Sequence, residues 1–275
     1  MTLAGLVGSA AAGAAATAAA QHLLTGHPPG GRQRWARTNH CGGPVTLLEG
    51  PVVAAGLAAA ALVTPGLTGR VRVGAAVAAL GAGGFGGYDD LAGSGDHRGL
   101  RGHLGALQNG ELTSGAVKIM GIGATGLAAA ALVGRRGTSL ITAGAVVAAT
   151  ANLINLLDLR PGRALKASLV LAVLDGRGSG DSARLAAVAA GSAMAVLPDD
   201  LSERSMLGDA GANALGAVLG LAAVAADAGR GRLAGRLAAL TALTLVSEKV
   251  SFTTVIEATP GLRELDRMGR RPPSP

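Results

Sequence analysis

The sequence predicts an all-α protein, a polytopic membrane helix bundle of about nine (eight to ten) transmembrane helices. Three observations predict it. Apolar residues make up 49% of the chain and fall in blocks separated by short charged segments. Most of these blocks approach the ~20 residues an α-helix needs to cross the hydrocarbon core. They are built from Ala, Val, Leu and Gly, and small residues let membrane helices approach closely. A buried, soluble all-α protein is the alternative. It is favoured by the weak insertion energies of Ala and Gly and by the scarcity of aromatics, two Phe, one Tyr and one Trp.

In chain order the predicted helices lie near 2–24, 45–63, 70–88, 113–133, 138–157, 164–175, 183–197, 207–226 and 232–252. The first has no Lys or Arg, so it lacks the basic start of a secretory signal and is expected to be a membrane helix. The sixth is short for a span. Pro44, Pro65, Pro161 and Pro198 stand at segment edges, as helix punctuation. No internal repeat is visible, which counts against an inverted-repeat transporter. Residues 1–257 are expected to form one membrane domain, with 258–275 as a cytoplasmic tail.

Charge gives this bundle a direction. The segments 25–44, 88–118, 158–166, 198–206 and 248–275 hold 15 Lys and Arg, and the alternate loops hold nine. The excess of cations on the cytoplasmic side of membrane proteins then places the first set in the cytoplasm and the N-terminus outside, in a multi-pass plasma-membrane protein. All three lysines, Lys118, Lys166 and Lys249, fall in that set. The net charge of +7 comes with no aromatic stacking platform and no long basic cluster, so nucleic acid is excluded as a partner. Cys41 is the only cysteine, which rules out an intrachain disulfide.

The same segments carry the polar constellations. Asp89 and Asp90 close the third helix, and adjacent carboxylates suit a hard divalent cation that also bridges to phosphate. Lys118 lies inside the fourth helix, where an ammonium needs an acidic or phosphate partner. Asn152, Asn155 and Asp158 recur every third residue, so they form a ladder on one helix side. Such a ladder either glues helices together or faces a ligand. Arg160, Arg163 and Lys166 follow it and suit diphosphate or anionic lipid headgroups. Asp209 stands in "MLGDAGANALG", where Gly208 and Gly211 leave backbone amides open to a phosphate, although Asp209 equally suits a helix N-cap. Glu49 is either a ligand or a helix-start charge. Asp199, Asp200, Glu203 and Arg204 are expected to form a solvated loop without chemistry. His97 and His103 lack the spacing of a zinc site.

In this order, "GGYDD…GDHRGLRGHLGALQNGELTSGAVK", "NLINLLD" and "MLGDAGANALG" resemble the polyprenyl-phosphate sugar-1-phosphate transferases. That is the superfamily of phospho-MurNAc-pentapeptide translocase and UDP-GlcNAc:undecaprenyl-phosphate GlcNAc-1-phosphate transferase. The resemblance spans about residues 35 to 257. It implies transfer of a sugar-1-phosphate from a UDP-amino sugar to a membrane polyprenyl phosphate, with release of UMP, in the synthesis of cell-envelope glycan precursors. It also implies Mg²⁺, with Mn²⁺ as a substitute, and is compatible with a homodimer. On this mapping Asp89, Asp90 and Asp158 are catalytic, and Asp209 with Asp90 holds the metal. Asn152, Asn155, Gly208 and Gly211 are expected to bind substrate phosphate on the same mapping, and Lys118, Arg160, Arg163 and Lys166 are expected to do so from their charge and position.

Three departures from the family pattern stand out. After Asp158 the family continues Gly-x-Asp-Gly, whereas this chain has Leu159 and carries Pro161 in place of the second Asp. The family's His-rich cytoplasmic loop is replaced by "SEKVSFTTVIEATPGLRELDRMGRR". The family's final helix is also missing, so an odd number of spans is expected to leave the C-terminus in the cytoplasm. The first two departures support the alternative of a catalytically lapsed scaffold or lipid-phosphate-binding relative.

Overall fold

The structure, a computed structural model, describes residues 2–39, 42–93, 113–178, 180–226 and 230–271. Cys41, His97 and His103 lie outside the described residues. Among the described residues the chain forms twelve helices and one two-stranded ribbon, an all-α bundle as expected. All nine predicted helices are present: α1 (Leu3–Gly26), α3 (Glu49–Val63), α4 (Gly69–Ala92), α5 (Ser114–Leu132), α6 (Gly137–Leu157), α7 (Arg163–Asp175), α8 (Asp181–Leu201), α9 (Gly208–Ala225) and α10 (Arg230–Ser247). The sequence reading missed the short helices α2 (Arg32–Trp35), α11 (Phe252–Ala258) and α12 (Leu262–Arg267), and the strands β1 (Ala36–Thr38) and β2 (Pro44–Thr46).

Helices α1, α5, α6 and α9 are long and apolar enough to cross a membrane, and α10 with α11, bent by 93°, makes a fifth if the pair is one span. Helix α3 has only 15 residues and α7 only 13. Helix α4 dilutes its apolar run with Gly, and both α4 and α8 carry charges at both ends.

Small residues decide how these helices meet. Ser9, Gly13 and Thr17 are the buried residues of α1, four apart, so they form one seam along the helix. That seam lies on α8 and α3. A Cβ on Gly13 would overlap the Val188 carbonyl oxygen, one on Gly191 the Ala10 carbonyl, and one on Gly56 the Thr17 side chain. Ser192 Oγ donates to the Gly13 carbonyl at 3.3 Å across the same crossing. Backbones this close need glycine. We expect Gly191→Val to force the crossing open at a cost of about 1–3 kcal/mol. Thermal unfolding in detergent checks this, and an unchanged midpoint would remove the crossing from the account.

Helix α9 is the centre of the bundle. It packs on α3, α4, α5, α6, α7 and α8, and Asp209 and Ala225 are its only residues that are not fully buried. Gly216 and Gly220 let it run against Ala151 and Val147 of α6. On its other side, Gly86 of α4 lies against the Asp209 carbonyl. Pro198, expected at a helix edge, instead lies inside α8, which continues to Leu201.

Candidate active site

The start of α9 has no side-chain cap of its own, since its N-cap residue is Leu207. A carboxylate from another helix supplies the acceptor. Asp90 Oδ1 accepts from the Asp209 amide at 3.0 Å, and Oδ2 accepts from the Ala210 amide at 2.9 Å. Negative charge is favoured at this end of a helix by the exposed amides and the dipole. Asp90 therefore docks the end of α4 onto the start of α9, and Asp209 is not the N-cap. Gly208 takes φ +61°, and a Cβ there would lie 3.1–3.2 Å from both Asp90 carboxylate oxygens. Glycine suits both the left-handed turn and the close approach.

Freed from capping, the Asp209 side chain turns to Lys118. Lys118 Nζ donates to Asp209 Oδ2 and lies 2.6 Å from Asp89 Oδ2. The lysine thus has the acidic partners that its burial demands. The Asp209 carbonyl accepts from Asn213 Nδ2 at 2.7 Å. Two carboxylates from separate helices therefore converge on one cation, and this cation is an ammonium.

Asp158 follows α6 as its C-cap, and the Gly208 amide donates to it. Burial, followed by the charges of Asp200, Asp209 and Asp90, raises its carboxyl well above the usual range. Three motifs far apart in sequence thus meet at the first turn of α9. The ladder of Asn152, Asn155 and Asp158, however, divides. Asn152 Nδ2 donates to Thr244 Oγ1 of α10 at 3.1 Å, which is the helix-gluing role. Asp158 faces a cavity of about 240 Å³ whose wall mixes polar side chains with Val45, Leu159 and Met206. Asn155 lies between them and has no side-chain hydrogen bond to another described residue.

That cavity is lined by Asn39, Asp158, Arg160, Pro161, Asp200, Glu203 and Ser205, among others. Asp200 corrects the expectation of a solvated loop. It is 4% exposed, its Oδ2 accepts from the Gly162 amide at 2.5 Å, and burial pushes its carboxyl up to about 6. The loop reading failed because α8 runs through Pro198 and carries Asp200 inward. The β1–β2 ribbon was also missed, although the residues between "ART" and "PVT" include two adjacent glycines, a hairpin signal. The ribbon matters because it holds the segment leading into α9. Met206 donates its amide to the Thr46 carbonyl at 2.9 Å, Arg37 Nη2 reaches the Asp90 carbonyl at 2.7 Å, and Asn39 bonds Glu203. Glu49 opens α3, is buried, and accepts from Ser205.

The predicted phosphate-binding cations separate. Arg160 lines the 240 Å³ cavity together with Asp158. Arg163 is instead bound by Asp266, and Lys166 by carbonyls of the same C-terminal segment. Gly211 touches no ligand space; it lets α9 lie against Gly50 of α3.

A second cavity of about 370 Å³ lies between α6, α7, α10, α11 and α12. Its walls are apolar, including Ile154, Leu171, Leu243, Phe252 and Ile256, with Arg163 and Lys166 among its few charged groups.

Among the described residues no group of three or more His, Cys, Asp or Glu side chains is arranged to hold a metal ion. Mg²⁺ does not need such a cage, because it keeps several waters and binds through one or two carboxylates plus substrate phosphate. Asp89 and Asp209 meet that lesser requirement, since both already converge on a cation. Asp90, expected as a metal ligand, has both oxygens committed to α9 amides. The chain matches no protein-family model and no curated protein.

Proposed function

We propose that the protein transfers a sugar-1-phosphate from a UDP-amino sugar to a polyprenyl phosphate and releases UMP, at the cytoplasmic end of a plasma-membrane bundle. One observation carries this reading. Asp90, Asp158 and Asp209, the acidic residues of three separate motifs, gather at the amide end of α9. In this step an oxygen of the acceptor phosphate bonds to the β-phosphorus of the donor. The bond from that phosphorus to the bridging oxygen breaks, and UMP leaves with the electron pair. No protein nucleophile is needed, so positioning and charge supply the catalysis. Mg²⁺, when bound by Asp89 and Asp209, neutralises charge that develops on the phosphate oxygens. In the absence of the metal Lys118 holds those two carboxylates together, and Asp90 fixes the start of α9 against them. Arg160, in the wall of the cavity that Asp158 faces, suits the donor's diphosphate. The apolar cavity suits the acceptor's hydrocarbon chain.

One cavity with several ionisable groups in its wall and another with an almost wholly apolar wall fit a reaction between a water-soluble and a lipid substrate. Protein purified in detergent, given polyprenyl phosphate, Mg²⁺ and a panel of UDP-amino sugars, is expected to release UMP with at least one donor. A folded sample that turns over none of them would sink the reading. The retention of Arg163 and Lys166 by the C-terminal segment favours a second reading, a lapsed enzyme that binds lipid phosphate without turnover.

A further inference from the structure

The C-terminal segment ends in an ion-pair network that transfer chemistry does not explain. Arg163, only 4% exposed, donates from Nε to Asp266 Oδ1 at 2.8 Å and from Nη2 to Oδ2 at 3.2 Å. This is the two-pronged geometry by which guanidinium holds a carboxylate or a phosphate. Arg270 donates to the same Oδ1 at 2.5 Å and to the Pro161 carbonyl at 2.8 Å. Lys166 Nζ donates to three carbonyls of the segment, those of Leu265, Asp266 and Met268, at 2.7–3.1 Å. One carboxylate therefore faces three cations. Burial alone would raise the Asp266 carboxyl, yet Arg163, Arg270 and Lys166 together hold it below its ordinary value.

The network has a telling position. Arg163, Lys166 and Asp266 all line the apolar cavity. A lipid with its chain in that cavity would bring its headgroup to the cations that Asp266 now occupies. Lys166 neutralises no acid directly, because it binds carbonyls, so the cluster keeps an excess of positive charge with Asp266 in place.

We propose that residues 262–271 form a displaceable plug, with Asp266 standing in for the phosphate of an anionic lipid whose headgroup competes for Arg163. The inference rests on the reading that the apolar cavity takes the lipid acceptor, and it adds a device that keeps the site closed until that lipid arrives. The loop that departs from the family pattern at Pro161 is also the loop the plug clamps.

The test uses the full chain in detergent and needs no turnover, so an inactive protein with a movable plug would sink the transferase reading and leave this one standing. Farnesyl phosphate, farnesol and inorganic phosphate are the three probes. Trypsin cleavage after Arg267 and Arg270 reports release of the plug. Farnesyl phosphate is expected to accelerate cleavage several-fold at concentrations where the other two do nothing. Asp266→Asn is expected to bind farnesyl phosphate about tenfold more tightly, because its competitor is weakened. Arg270→Gln, which leaves Arg163 untouched, is expected to loosen the plug in the same direction and guards against misfolding of the first variant. Unchanged or slower cleavage with farnesyl phosphate, or weaker binding by both variants, would overturn the proposal. Equal release by inorganic phosphate would overturn the lipid assignment.

Discussion

Asp209→Asn is expected to lower sugar-1-phosphate transfer by about a thousandfold, equivalent to about 4 kcal/mol of transition-state stabilisation. The structure explains why the fold should survive. The contacts that seat the start of α9 are made by the backbone of Asp209, which donates its amide to Asp90 and accepts from Asn213. An amide side chain leaves both intact and has the same shape. Lys118 is not orphaned either, because Asp89 remains 2.6 Å away. What is lost is one of two anionic oxygens converging on a cation. UMP release at saturating donor, with a melting curve on the same sample, checks both halves. Retained activity at ordinary Mg²⁺ would remove Asp209 from the metal site, and a collapsed melting curve would remove it from the list of purely chemical residues.

Lys118→Met is expected to act the other way round, on stability first. With the ammonium gone, Asp89 and Asp209 face each other with no counter-charge from Lys118. Removing one partner from a largely buried ion pair costs about 3 kcal/mol or more. The loss should be partly reversed by Mg²⁺, because a divalent cation can take the place the ammonium held. The decisive reading is therefore a difference: the rise in melting temperature on adding Mg²⁺ should be larger for Lys118→Met than for the unaltered chain. Equal shifts would mean that the ammonium and Mg²⁺ do not share a place, and Asp89 would drop out as a ligand. Lys118→Arg, which keeps the charge, should lose less stability than the Met variant.

How much of this was legible in sequence depended on whether the cause was local. The close approach of helices was legible from their small residues, but the α1 seam was not, because Ala and Gly occupy every face of that helix and only packing shows that Ser9, Gly13 and Thr17 are the buried ones. Lys118 was predictable as a paired cation because the cost of an isolated ammonium in a membrane helix does not depend on which acid answers it. Asp90 was recognised as important, yet its job was not, since capping α9 from α4 depends on tertiary approach across 119 residues of chain. Asp200 was dismissed for a similar reason: the sequence shows a Pro and a run of charges, and only the continuation of α8 turns that carboxylate inward. The plug was the least visible. "ELDRMGRR" has the composition of a solvated tail, and only the fold brings Asp266 onto Arg163.

The central claim is that a phosphoryl group with its sugar moves to lipid. A UDP-amino sugar carrying labelled phosphorus at the β-position tests it most directly. With polyprenyl phosphate and Mg²⁺, the label is predicted to appear in a detergent-extracted diphosphate lipid while unlabelled UMP accumulates in equal amount. Label remaining in water-soluble nucleotide with every donor, on a protein shown to be folded, would contradict the account.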